Sequence, residues 1–273
     1  MSKRQRGWTE DKIAKYYKEG RGSGDLSNYK PWLTVQDVPS QGRTHRPKGW
    51  KTGRIHQLLS DLEYKYFCLL EWSDDIIDIR EQFPLNREHT IAIAESKNIK
   101  HSVDLKTRTP IVMTTDFLIT IRKNNDLIHI ARTVKHSKEL EGDDVIDKFE
   151  IERAYWENQG VNWGIVTENG LNSQAIDNIK WLHNSFFEED LYDYDVHCNL
   201  LHELSIKGRS IINTLNEFDG VYKLEKGTSL STFKWMLAKK IINIDINIIF
   251  DIKNNTDTLL IKDISISEKR WAT

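Results

Sequence analysis

The sequence predicts an α/β domain followed by a mostly helical, winged-helix-like domain. Three observations predict it. A strand, a β-hairpin, a helix and a further strand follow one another between residues 74 and 168. The segment after 168 changes texture, becoming helical to about residue 240 and strand-like beyond. Its order of helix, helix and wing is the winged-helix pattern. The boundary is therefore set between 1–168 and 169–273.

Each element has a local reason. Residues 9–19 read as a short helix with Thr9 as N-cap, and GRGSGDLSNYKPW reads as a loop. Residues 33–56 look irregular. HQLLSDLEYKYFCLLEW reads as a helix over roughly 56–71, which sets Leu59, Glu63, Tyr66, Phe67 and Leu70 on one side. DDIIDIREQFPL is a strand ended by Pro84, and 86–109 opens as helix or loop. PIVMTTDFLITIR and LIHIARTVK are the arms of a hairpin turning at KNND. A helix is expected over about 138–158, with Gly160 near its C-terminal end, then a strand at VNWGIVTE. In the last third, GRSIINTLNEFD and LSTFKWMLAKK are amphipathic, with Phe233, Trp235 and Leu237 as core. IINIDINIIFDIKNNTDTLLIKDI reads as a two-stranded wing.

Composition narrows the class. The 273 residues carry 29% charged side chains, and no run approaches 18 apolar residues, so no membrane span is expected. The N-terminal stretch lacks an apolar h-region, and two cysteines, Cys68 and Cys198, lie far apart. Together these suggest a reduced, cytoplasmic protein. Residues 1–56 hold 13 Lys+Arg against 5 Asp+Glu, or +8, and the remainder holds 26 against 36, or −10. A basic arm interleaved with Trp8, Tyr16, Tyr17, Tyr29, Trp32 and Trp50 suits a polyanion such as DNA, or else is a solvated tail.

One residue breaks the pattern. Glu63 is a carboxylate on an otherwise apolar helix face, so it needs a partner such as Arg54 or Arg80, a raised pKa, or a metal ion. The hairpin offers a second carboxylate. With the turn centred on Asn124-Asn125, facing residues sum to 249, so Asp116 lies opposite Thr133 and Lys135 opposite Thr114. Asp116, Thr133 and Lys135 then share one sheet face. Two carboxylates and a lysine are the equipment of a magnesium-dependent nuclease: the carboxylates hold a hard cation, and the lysine stabilises charge or orients water. A cross-strand ion pair between Asp116 and Lys135 is the plainer alternative. His56 either reaches the site or is a satisfied structural histidine, and Glu150 and Glu152 are candidates for supporting it. The nine histidines show no zinc pattern, His197 and His202 being five apart, and GRGSG lacks the G-K-[ST] of a P-loop. Lys239 and Lys240 suit either a charged helix end or contact with nucleic acid.

The stretches YKPWLTVQDVPSQGRTHR, KTGRIHQLLSDLE, IREQFPL, TTDFL and KFEIERAYWENQ, in that order, resemble the TnsA family, the endonuclease subunits of two-component bacterial cut-and-paste transposases. The resemblance implies a restriction-endonuclease-like core with catalytic Glu63, Asp116 and Lys135. The implied metal ligands are Glu63, Asp116 and the backbone carbonyl of Val134, with Mg²⁺ as the cofactor and Mn²⁺ as its substitute. It further implies cleavage of the non-transferred strand at the 5′ ends of a transposon. The implied partners are transposon-end DNA, the transposase TnsB and the ATPase TnsC, the last through residues 169–273. Thr133 stands where the family commonly has glutamine, which leaves its contact to water or a second metal open. A host-defence nuclease with the same core and a silent DNA-binding subunit are the alternatives.

Overall fold

A computed structural model describes residues 7–38, 42–124, 126–188 and 194–261. The chain divides into two compact units, Met1–Leu171 and Asn172–Thr273. Among the described residues, no helix is long and apolar enough to cross a membrane.

The first unit is built on a four-stranded sheet of order β1-β2-β3-β4. Its strands are β1 (Ile76–Pro84), β2 (Thr114–Lys123), β3 (Asp126–Val134) and β4 (Asn162–Val166). The first two pairings are antiparallel, and β3 pairs with β4 in parallel. The β2–β3 ladder keeps the expected register, from Lys123–Asp126 to Phe117–Arg132. Asn124, in the turn, adopts a left-handed φ of 50°, a conformation asparagine tolerates well.

Side-chain alternation divides the core between the two sheet faces. Phe117 and Ile119 join Ile79, Val134 and residues of helix α2 (Asp61–Trp72), namely Leu62, Phe67 and Leu70. Leu118 and Ala131 point the other way. They pack with Ala94 of α3 (Arg87–Ser96) and with Ile151, Tyr155 and Trp156 of α4 (Asp143–Glu157). Helix α4 ends as expected: Gly160 takes a φ of 67°, and Val161 N–H reaches back to Trp156 O at 2.9 Å.

The N-terminal segment differs from the expected arm. Helix α1 (Glu10–Lys18) is capped by the Thr9 hydroxyl as anticipated. Its aromatic residues, however, are core rather than a stacking platform. Tyr16, Tyr29 and Trp32 are buried, and Trp8 stacks on Trp32 with ring centroids 6.2 Å apart. Tyr17 alone of the six is half exposed, at 50%. Large rings with this much apolar area are retained by the fold itself. Residues 1–6, which carry three of the arm's basic side chains, lie outside the described residues.

Helix α2 begins later than the periodicity suggested. Residues 45–58 run as a short, irregular antiparallel loop, with His45 bridged to Leu58 and Lys48 to Ile55. Ser60 is the N-cap, its hydroxyl accepting Glu63 N–H at 3.1 Å. Leu59 and His56 are thus outside the helix.

The second unit contains α5 (Ser173–Leu182), α6 (Tyr194–Ser205), α7 (Ile211–Val221) and α8 (Thr228–Ala238). Phe233, Trp235 and Leu237 are buried, as the pattern of α8 implied. The expected wing shrinks, among the described residues, to an antiparallel pair of two-residue strands, β5 (Ile242–Asn243) and β6 (Leu260–Ile261). The reason is a side chain. Asn178 donates to Ile246 O and Ile248 O at 2.9 and 2.7 Å and accepts Phe250 N–H at 3.0 Å. One amide thus satisfies backbone groups that a ladder would otherwise use. The expected strand's last residues, 262–264, lie outside the described residues.

Candidate active site

Glu63 occupies the third position of α2. The run Ser60-Asp61-Leu62-Glu63 is a capping box: Ser60 accepts from Glu63 N–H, and the Glu63 side chain turns back toward the start of the helix. Its Oε1 accepts from Ser60 Oγ at 3.0 Å. Its Oε2 accepts from Leu59 N–H at 2.9 Å and from Gln82 Nε2 at 3.2 Å. The helix N-terminus favours a carboxylate here, but no cation pairs with it among the described residues. Arg54 instead binds Glu81, at 2.5 and 2.7 Å, and Arg80 lies 3.4 Å from Asp78. Neither arginine meets Glu63.

Asp116 begins where the β2–β3 ladder ends. Its Oδ2 accepts Val134 N–H at 2.7 Å. Glu63 and Asp116 line one cavity of ≈ 480 Å³, together with Thr133, Val134, Lys135, Glu139 and Glu152. Burial, and then the negative charge of Asp116, push the Glu63 carboxyl well above its ordinary range. Burial raises Asp116 too, against the opposing effects of the Val134 N–H and the Lys135 charge. Two carboxylates that repel each other in one pocket prefer a shared proton or a shared cation. The Lys135 ammonium, 36% exposed, pairs with Glu139 at 2.7 Å rather than with Asp116, so the simple cross-strand ion pair is not what the fold makes.

Two groups depart from expectation. His56 is fully buried and away from this cavity, its Nδ1 2.8 Å from Glu81 and its Nε2 2.8 Å from Thr52 Oγ1. Burial, partly offset by Glu81, lowers its pKa. It is a structural histidine that ties the 45–58 loop to β1. Thr133 lines the cavity, but its hydroxyl is engaged: it donates to Glu152 Oε1 at 2.5 Å and accepts from Trp163 Nε1 at 3.3 Å. Of the two supporting candidates, Glu150 is tied to Lys97 and Arg153 at the surface. Glu152 is the one that reaches the cavity. It is buried, takes a second hydroxyl from Thr115 at 2.6 Å, and is pushed up by burial to about 7.

Sequence reasoning passed over Gln82. It lies in β1 level with Asp116, between the pairs Glu81–Phe117 and Phe83–Thr115. The residue is buried and holds a left-handed φ of 48°, unusual for a strand residue with a side chain. Trp32 N–H holds its carbonyl at 3.1 Å. No local pattern marks it. The capping-box spacing of Ser60 and Glu63, by contrast, was readable and would have placed the start of α2.

The donor set fits a hard divalent cation: two carboxylates, Glu63 without an ion-pair partner among the described residues, converge on one polar cavity. Among the described residues no three His, Cys, Asp or Glu side chains gather to hold an ion. Backbone oxygen, water or substrate phosphate would complete such a shell, as magnesium prefers. Paired carboxylates beside a lysine, one from a helix start and one from a strand of the adjoining hairpin, are the equipment of a nuclease.

Comparison with known proteins narrows that class. A family model described as TnsA-like endonuclease N terminal matches residues 73–168, and one described as TnsA endonuclease C terminal matches 171–246. The Tn7 transposition protein TnsA of Escherichia coli is 38% identical over 273 residues, 99% of each chain. The chain belongs to the TnsA family of transposon endonucleases.

Proposed function

We propose that this endonuclease hydrolyses one DNA strand with Mg²⁺, at a site made of Glu63, Asp116 and Lys135 in a restriction-endonuclease-like core. The observation that carries the reading is the convergence of buried Glu63 and half-buried Asp116 on the cavity that also receives Lys135. The two carboxylates and the Val134 carbonyl would hold the cation, which would supply Lewis-acid activation of the scissile phosphate and of water. Lys135 exchanges its contact with Glu139 for the charge that develops on the phosphate. The Val134 N–H fixes the Asp116 carboxylate. Glu152, gripped by Thr115 and Thr133, holds the strand ends that carry Asp116 and Lys135. Mn²⁺ is expected to substitute.

The substrate is the transposon end, and the strand cut is the non-transferred one, at the 5′ ends. A partner transposase, TnsB, processes the 3′ ends, and the ATPase TnsC docks through the helical, winged-helix-like second unit. Similarity to the Tn7 protein supports this assignment. The test is strand-resolved cleavage by the assembled complex. Asp116→Ala should leave the 5′ strands attached to donor DNA while 3′ ends still join the target, yielding branched fusions. Excision of both strands by that variant complex would refute the proposal.

A further inference from the structure

Glu63 and Asp116 come from different elements, a helix start and a strand end, and two like charges do not hold themselves face to face. A neutral donor beside them eases the repulsion. Gln82 is in that position. It lies level with Asp116 on the neighbouring strand, and its side-chain Nε2 donates to Glu63 Oε2 at 3.2 Å. Gln82 also favours the charged form of Asp116. A primary amide donates hydrogen bonds without carrying a charge. Lysine or arginine here would bring a fixed positive charge and compete with a cation, asparagine is one methylene shorter, and methionine has no donor.

The backbone supports this role. The left-handed φ of 48° at Gln82 sits between regular ladder pairs on either side. It is held from outside the sheet, by Trp32 N–H on the Gln82 carbonyl and by the Tyr29 hydroxyl on the Glu81 carbonyl at 3.0 Å. Beside it, the Glu81 carboxylate is clamped by Arg54, His56 and the Gln57 N–H. The residues that brace β1 thus immobilise a strand position whose side chain touches the helix carboxylate.

We propose that Gln82 is a positioning residue for the cation site: its neutral amide presets Glu63 and Asp116 to share a divalent cation without contributing a charge that the cation must displace. This rests on the reading of those two carboxylates as ligands.

The test is Ca²⁺ binding to the full chain by calorimetry, for wild type, Gln82→Met, Gln82→Gly and Asp116→Ala. Gln82→Met removes the donors at similar volume, and Gln82→Gly removes them while easing the left-handed backbone. Both should weaken Ca²⁺ binding by about 10–100-fold, the usual effect of losing a group that orients a ligand. Should Gln82→Met fail to fold, Gln82→Gly decides. Wild-type affinity in a folded Gln82 variant, with binding lost in Asp116→Ala, would overturn the positioning role alone. Equal affinity, or none, in wild type and Asp116→Ala would overturn the ligand assignment and this inference with it.

Discussion

Glu63→Gln is expected to stabilise the metal-free protein while abolishing its response to metal. The substitution keeps the shape and can keep each hydrogen bond. The amide oxygen takes the place of Oε2, accepting from Leu59 N–H and Gln82 Nε2. The amide nitrogen replaces Oε1 against Ser60 Oγ, a hydroxyl able to accept as well as donate. What disappears is a buried charge that faces Asp116 without a cation. An uncompensated buried charge costs on the order of several kcal/mol, and each kcal/mol recovered is about 2–4 °C of melting temperature in a protein of this size. The pH dependence gives the sign. A carboxyl raised on folding by burial and by Asp116 costs nothing while protonated in both states, and costs progressively more as pH rises above its unfolded value. The advantage of the variant should therefore be largest near pH 8 and shrink toward pH 5. Thermal unfolding in EDTA at both pH values measures it. Adding Mg²⁺ should stabilise wild type and leave the variant unchanged. A variant less stable than wild type at pH 8 in EDTA would refute the electrostatic argument.

Lys135→Ala should lower cleavage by about 10²-fold yet leave Ca²⁺ affinity near wild type, and a loss as complete as in Asp116→Ala would make the lysine structural. Trp32→Ala should cost about 3–5 kcal/mol of stability, because Trp32 is fully buried; an unchanged denaturation midpoint with weakened DNA binding would restore the stacking-arm reading. Metal-free protein should lose stability between pH 6.5 and 8, where Glu71 and Glu152, each raised by burial to about 7, release protons that the unfolded chain has already lost. The loss works out at about 0.8 kcal/mol for each, with Glu63 adding to it, and His56, lowered by burial, acts mainly below this window. Urea titrations across the range check it, and a rise in stability would refute the assignment of these groups.

The local rules of the chain determined much of this protein. A turn at Asn124-Asn125 and the period of two in the flanking strands set the β2–β3 register, which carries Asp116 and Lys135 to the same end of the sheet. Thr9 and the left-handed residue at Gly160 marked helix ends for reasons confined to a few neighbouring atoms. Glu63 stood out because a charge on an apolar face needs an answer. Tertiary structure decided what that answer is. Arg54 is closer in sequence to Glu63 than to Glu81, yet it goes to Glu81 because the 45–58 loop folds against β1 rather than extending α2. Trp8 and Tyr16 of the basic arm joined the core by packing on Trp32. Asn178 converted an expected strand into irregular chain by capturing backbone 68 to 72 residues away. Gln82 and Glu152 have the same origin: each acts through partners 19 to 37 residues distant. Periodicity and capping report what a residue does with its neighbours in the chain. Which buried polar group meets which is settled only when separate elements are brought together, because the cost of an unpaired group falls on the whole fold.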